Sequence, residues 1–219
     1  AGNYATPIVE AIVNGVRVWL PYPLPVDCTL DFIELNSTAG NRVYVRTLFF
    51  AFITAMAIKR PEVQIELQNS LGSAIYCHIK NDIVLSKYDL EDVNQTMQKM
   101  IAQKTPVELK WLSVEEAKKL VKPNQTQENL PLLDVVEGID KVPLFKLKSE
   151  WAFFLGNMLP DLGYIKGYKL LNYKTGVLIC YPSGPDYSVV PEFVDTPKLA
   201  KVYNEAEEYG KRIKCSTVA

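Results

Sequence analysis

The chain has 219 residues, 48% of them hydrophobic and 22% charged, which allows a sizeable core in one domain or two small ones. Its 24 basic and 25 acidic residues give a formal net charge of −1. The overall charge therefore does not favour nucleic acid, which usually meets a basic protein face.

The first 35 residues predict a small β-rich module. Residues 8–13 form an apolar strand, Asn14-Gly15 is typical of a tight hairpin turn, and residues 16–20 alternate. Prolines at 21, 23 and 25 exclude regular sheet pairing there, and residues 30–35 form another strand. So short a module cannot bury a core alone, and we expect it to pack against the chain that follows.

Residues 41–60 predict a central helix. Phe50 and several alanines make it apolar on nearly every side. The longest apolar run, 48–58, is shorter than the about 20 residues that a membrane span needs, so we expect a core helix and no membrane. Six apolar residues recur at helical spacing: Val45, Leu48, Phe49, Phe52, Ile53 and Met56.

The middle of the chain predicts alternating strands and helices. Ser86 or Asp89 is a candidate cap for the first of these helices, and the capping box from Ser113 to Glu116 opens the second. The predicted strands are 63–68, 73–80 and 105–112, and the predicted helices are 89–104 and 114–121.

The last third predicts mostly strands, followed by a helix that Thr196 caps, with Pro197 in its first turn. The strands are expected at roughly 132–136, 142–147, 150–155, 164–171 and 176–181. The fold class is therefore α/β of the α+β type. We expect the helix 41–60 to pack on an antiparallel sheet built from the strands within 63–80 and 142–181.

A metal site is not expected from the ligand inventory. The four cysteines include no Cys-x-x-Cys pair, and the only histidine, His78, follows Cys77 on a predicted strand, where neighbours point to opposite faces. A structural zinc site needs about four such ligands and a catalytic one about three. We expect reduced, buried thiols in a cytoplasmic protein.

Residues 155–170, LGNMLPDLGYIKGYKL, resemble a segment of the editing domain of threonyl-tRNA synthetases and of the related alanyl domain. That segment reads roughly Gly-Pro-His-Val-Pro-x-Thr-Gly-x-Ile-Lys-x-Phe-Lys-Leu, and its His serves in a metal and editing site. Here Met158 stands in place of the His and Leu162 in place of the Thr. The resemblance implies an editing-type fold that has lost its editing chemistry.

The order of motifs resembles a β-grasp fragment of the TGS type followed by the second additional domain of the synthetases. The same pair occurs at the N-terminus of nucleoside kinases resembling uridine kinase and phosphoribulokinase, and that match is the closer one. The matching segments are 7–15, 41–48, 69–71 with 74–77, and 191–199.

This resemblance implies three regions. Residues 1–37 are a partial TGS-like module, 38–190 a degenerate editing-like domain, and 191–219 a linker and helix toward a kinase domain. That C-terminal kinase domain would be the partner of this region and would use ATP and Mg²⁺.

Departures from both families predict that this chain has no catalytic residue, cofactor or metal of its own. A His-x-x-x-His helix motif supplies two ligands in the synthetases, and the matching positions here are Arg46 and Phe50. Arginine stays protonated, and phenyl or thioether groups are poor ligands for such cations. The only Gly-Lys pair, Gly210-Lys211, lacks the first glycine of a phosphate loop, since Glu205 occupies that place.

A relict pocket is the remaining candidate site, with Arg46, Asn69, Asn157, Met158 and Asp161 as its residues. The alternatives are a structural ion pair for Arg46 and ordinary turn chemistry for the Asn and Asp residues.

Three functions follow. The chain is the regulatory or substrate-presenting N-terminal region of a uridine-kinase-like enzyme, a degenerate editing module that binds tRNA ends or nucleotides, or a structural or dimerising scaffold.

Overall fold

The computed structural model describes residues 4–81, 83–121, 140–184 and 186–195. Within them the chain has the predicted α+β class, with antiparallel sheets and packed helices. The strands are β1 (Ile8–Val13), β2 (Val16–Val18), β3 (Leu30–Glu34), β4 (Ile65–Ser70), β5 (Ala74–Ile79), β6 (Glu108–Leu112), β7 (Val142–Leu147), β8 (Glu150–Phe153), β9 (Lys169–Tyr173) and β10 (Gly176–Cys180). The helices are α1 (Thr38–Lys59), α2 (Lys87–Ala102) and α3 (Val114–Leu120), with a short 3-10 helix at Leu162–Tyr164. The predicted strand 132–136 and the helix expected from Thr196 lie outside the described residues. The part of the predicted linker from residue 196 onward lies outside them as well.

The N-terminal sheet has the strand order β2-β1-β3 and is antiparallel. Its first hairpin turns at Asn14 (φ 51°) and Gly15 (φ 80°), the left-handed pair that a tight hairpin requires and that the sequence predicted. Val9 and Leu35 are buried in the same core cluster as the apolar residues of α1. The small module therefore buries its apolar residues in a core that it shares with α1.

Helix α1 begins three residues before the predicted start. The Ser37 hydroxyl caps it by accepting a hydrogen bond from Gly40 N at 3.0 Å. Position 40 must be glycine, because a Cβ there would lie 2.1 Å from the Glu34 carbonyl oxygen. Among the described residues α1 is the one helix long and apolar enough to cross a membrane, but 67% of that stretch is buried inside the protein. It is the core helix that the sequence predicted.

The expectation of one sheet is wrong. Strands β4-β5-β10-β9 form a four-stranded sheet, whereas β7 and β8 join β6 in a separate three-stranded sheet. The segment between β8 and β9 carries the chain from one sheet to the other. Val107 N donates to the Pro160 carbonyl at 2.9 Å, and Leu162 N donates to the Thr105 carbonyl at 3.0 Å, so this crossing segment is fixed against the residues that lead into β6.

The last strands also differ from prediction. The strand expected at 164–171 begins only at Lys169, because Asp161 caps the 3-10 helix by accepting from Gly163 N at 2.7 Å. The capping boxes at Ser86 with Asp89 and at Ser113 with Glu116 are both formed. They set the starts of α2 and α3.

Candidate functional site

Three of the five predicted pocket residues come together at the middle of α1. Arg46 Nη1 donates to the Asn157 carbonyl at 2.5 Å, and Met158, the next residue, is fully buried. Gly156 lies against the guanidinium, since a Cβ there would be 2.9 Å from Arg46 Nη2. The loop after β8 is therefore closed over Arg46 by backbone contacts.

A buried carboxylate that the sequence analysis missed completes this group. Glu10 on β1 is 1% exposed, and its Oε1 accepts from Asn157 Nδ2 at 2.5 Å. Its Oε2 accepts from Arg17 Nε at 2.8 Å and also from Arg17 Nη2. A single acid within an apolar strand was the available signal, but strand alternation does not predict its burial. The register of β1 against β3 shifts between Ile8 and Glu10.

We call Glu10, Arg17, Arg46 and Asn157 the Glu10 cluster. Burial lowers the pKa of the Arg46 guanidinium, the Glu10 carboxylate raises it, and repulsion from Arg17 and Arg42 lowers it further. A guanidinium nevertheless stays protonated in proteins. Arg46 thus lies within electrostatic reach of Arg17, of Arg42 and of the Glu10 carboxylate, which itself pairs with Arg17.

Two of the positions that the family resemblance assigns to metal ligands are apolar core. Phe50 and Met158 are both fully buried. The Phe50 ring packs edge to face on Phe154 with centroids 5.5 Å apart. No group of three or more His, Cys, Asp or Glu side chains suited to a metal ion occurs within the part of the chain that the structure describes.

His78 and Cys77 point to opposite faces of β5, as the strand pattern predicted. Cys77 is buried. His78 is half-buried, and its Nδ1 lies 3.1 Å from the Thr175 hydroxyl. The two side chains do not converge on one ion.

The other two predicted pocket residues, Asn69 and Asp161, are not part of this group. Asn69 lies on β4 opposite Tyr76, next to an irregularity in the pairing of β4 with β5. Asp161 caps the 3-10 helix through Gly163 N. Asp161 matches the alternative interpretation of turn chemistry, whereas Asn69 lies within a strand and not in the expected turn. Arg46 differs from the predicted ion pair in that its hydrogen bond goes to a backbone carbonyl.

No protein-family model matches the chain. It is similar to the threonine–tRNA ligase of Thermotoga petrophila, with 31% identity over 170 residues, which cover 75% of this chain and 26% of that protein. The corresponding enzyme of Acetivibrio thermocellus is 27% identical over 73% of this chain and 25% of its own length. Threonine–tRNA ligase 1 of Bacillus subtilis is 26% identical over the same two shares.

The chain therefore spans about a quarter of the length of the curated relatives it matches. These relatives support the resemblance to threonyl-tRNA synthetases. They give no support to a nucleoside-kinase parent.

Proposed function

We propose that the chain is a non-catalytic accessory module of the synthetase editing type and part of a larger cytoplasmic protein. Similarity to threonine–tRNA ligases over 75% of the chain supports the type of module. The observation that carries the loss of chemistry is the apolar packing of Phe50 and Met158, at two of the positions where the family resemblance implies ligands.

The chemistry of the Glu10 cluster is consistent with this proposal. Hydrolysis of an aminoacyl ester needs a water activated by a metal or a general base. Arg46 cannot accept a proton. The Glu10 carboxylate is buried, and both of its oxygens already accept hydrogen bonds from Arg17 and Asn157. The cluster holds β1 to the loop after β8 and leaves no group placed to activate water.

A deacylation assay tests the loss of editing chemistry. The 219-residue chain is incubated with mischarged aminoacyl-tRNA, and we expect the ester to decay at the spontaneous rate. The Glu10→Gln variant is the control, because it keeps the shape of the side chain and removes its charge. Faster decay that Glu10→Gln abolishes would contradict the proposal.

Metal content gives a second test of the same proposal. We expect protein purified without chelator to contain far less than one equivalent of zinc. About one zinc per chain that is lost in a Met158→Ala variant would show that the site retains a metal function.

The parent protein has two candidates. A threonyl-tRNA synthetase-like parent is supported by the three relatives. A uridine-kinase-like parent, with ATP and Mg²⁺ in a C-terminal kinase domain, is supported by the order of segments 7–15, 41–48 and 191–199. The full-length protein separates them. Consumption of ATP with uridine but not with threonine and tRNA favours the kinase, and the reverse favours the synthetase.

A further inference from the structure

An open cavity of about 770 Å³ lies where α1 begins. Its walls come from three separated parts of the chain: the start of α1, the turn between β4 and β5, and the loop after β10. None of the residues of the Glu10 cluster lines it. Its lining includes Asn41, Arg42, Ser73, Tyr181, Ser183 and Tyr187.

The cavity has unbalanced positive charge. Arg42 is the one charged side chain among its lining residues. Arg42 is exposed. Its guanidinium makes no hydrogen bond or ion pair with any residue that the structure describes. Asp186 in the neighbouring loop is not a lining residue, and its carboxylate accepts from Ser188 N at 2.8 Å and from the Ser188 hydroxyl at 2.7 Å. These hydrogen bonds lower the pKa of Asp186, so the carboxylate stays ionised while its Oδ1 is bonded within its own loop.

Hydrogen bonds fix the walls before any ligand is present. Asn41 Nδ2 donates to the Pro182 carbonyl at 3.2 Å and to the Tyr187 hydroxyl at 3.4 Å. The Tyr187 hydroxyl donates to the Leu35 carbonyl, and its ring packs on Tyr44 with centroids 5.3 Å apart. Such preorganisation lowers the entropic cost of binding.

Two of the lining hydroxyl groups are available to donate hydrogen bonds. Ser73 and Ser183 line the cavity, and their hydroxyls have no hydrogen-bond partner among the described residues. Tyr181 offers a half-buried ring at the same opening. A free guanidinium with nearby hydroxyl groups suits phosphate oxygens, and an aromatic ring suits a base or another flat group.

We infer that this cavity binds a phosphorylated molecule of nucleotide size, with the phosphate at Arg42 and a flat ring against Tyr181. A volume of about 770 Å³ lies within the range of about 300–1,000 Å³ that is usual for small-molecule sites. The same chemistry is offered by a free mononucleotide and by the 3′-terminal nucleotide of an RNA.

Calorimetric titration of the 219-residue chain with AMP and with UMP tests the site. Adenosine, uridine and inorganic phosphate are the matched partial ligands. We expect at least one nucleotide to bind about tenfold or more tightly than its nucleoside, because a charge-assisted hydrogen bond is lost with the phosphate. No binding of either nucleotide, or equal affinity for nucleotide and nucleoside, overturns the inference.

Two variant pairs locate the site. Arg42→Ala should weaken nucleotide binding about tenfold, whereas Lys59→Ala, which removes an exposed charge at the other end of α1, should not change it. Gly184 lines the cavity and has open space where a Cβ would lie. Gly184→Asp should therefore weaken binding by repelling phosphate, and Gly184→Ala should not. Equal effects within either pair contradict the assignment.

Two further measurements define the ligand. Tyr181→Ala should weaken nucleotide binding and leave phosphate binding unchanged; an unchanged nucleotide affinity would rule out the ring contact. Competition with unacylated tRNA separates the sources, because displacement of the nucleotide supports an RNA end and no displacement supports a free nucleotide. Binding is measured directly, so failure here is distinct from the outcome of the deacylation assay.

Discussion

Gly156→Ala is the sharpest test of how the loop after β8 is held on α1. Gly156 has φ +104°, a conformation that side chains beyond glycine rarely adopt. An added Cβ would also lie 2.9 Å from Nη2 and 3.1 Å from Nη1 of Arg46. The substitution therefore strains the backbone and pushes the guanidinium off the Asn157 carbonyl.

The expected loss of stability is the sum of these two effects. Left-handed backbone costs an alanine about 1–2 kcal/mol. A hydrogen bond from a charged group contributes about 1.5–3 kcal/mol to stability. Arg46 is only half-buried, so weakening its bond to the Asn157 carbonyl removes part of that contribution. Alanine also reduces the conformational entropy of the unfolded chain, which stabilises the folded protein by about 0.4–1 kcal/mol. We expect a net loss of about 2–3 kcal/mol, or about 4–12 °C in Tm for a chain of this size.

Urea denaturation followed by circular dichroism measures this loss, and two comparisons apportion it. Gly72 also has a left-handed φ, +61°, but a Cβ added there would meet no other atom within 4 Å. Gly72→Ala should therefore cost only the backbone part, about 0.5–1 kcal/mol. In an Arg46→Ala background, Gly156→Ala should cost clearly less than in the native chain. If Gly156→Ala costs no more than Gly72→Ala, or the same in both backgrounds, the contact with Arg46 does not hold the loop.

Three other changes test separate parts of the structure. Hydrogen bonds, chiefly from Arg60, lower the pKa of Asp89 from 3.8 to about 2. The Asp89 carboxylate therefore stabilises the fold fully above pH 3.8, and this stabilisation is lost as the pH falls toward 2. In acid unfolding, Asp89→Asn should make the free energy of unfolding less dependent on pH in this range. Tyr44→Phe should lower the free energy of unfolding in urea by about 2 kcal/mol, because the buried Tyr44 hydroxyl accepts from two backbone amides and donates to one carbonyl. The control Tyr88→Phe, at an 84% exposed position, should not change it measurably. Phe50→His should cost about 3 kcal/mol, and added zinc should not restore the loss; a zinc-dependent rise in Tm would show that ligands remain near position 50.

The features that the sequence predicted well depend on local chemistry. The Asn14-Gly15 hairpin and the Ser113 capping box formed as expected, because a turn or cap is decided within about four residues. The buried character of α1 also followed from composition, since a helix that is apolar on nearly every side has no face to offer water.

The features that it missed depend on partners distant in the chain. The burial of Glu10 requires Asn157, which lies 147 residues later. The separation of β7 and β8 from the other C-terminal strands requires the pairing of the 105–107 segment with residues 160–162. No spacing rule relates such positions. For the candidate site, the sequence predicted Arg46, Asn157 and Met158 as pocket residues but not the Glu10 carboxylate that bonds Asn157 to β1.

The contrast between residues 46 and 50 on α1 shows how the helix stays packed under the proposed loss of editing chemistry. Ligand side chains buried without an ion would leave polar groups unpaired, which costs free energy in a core. Phenyl and thioether groups at Phe50 and Met158 remove that cost and add packing, as the contact with Phe154 shows. One turn earlier, Arg46 remains polar because the Asn157 carbonyl and the nearby Glu10 carboxylate compensate its partial burial. Residue 50 thus contributes packing toward the core, and residue 46 contributes a hydrogen bond toward the loop, and both hold α1 against its neighbours.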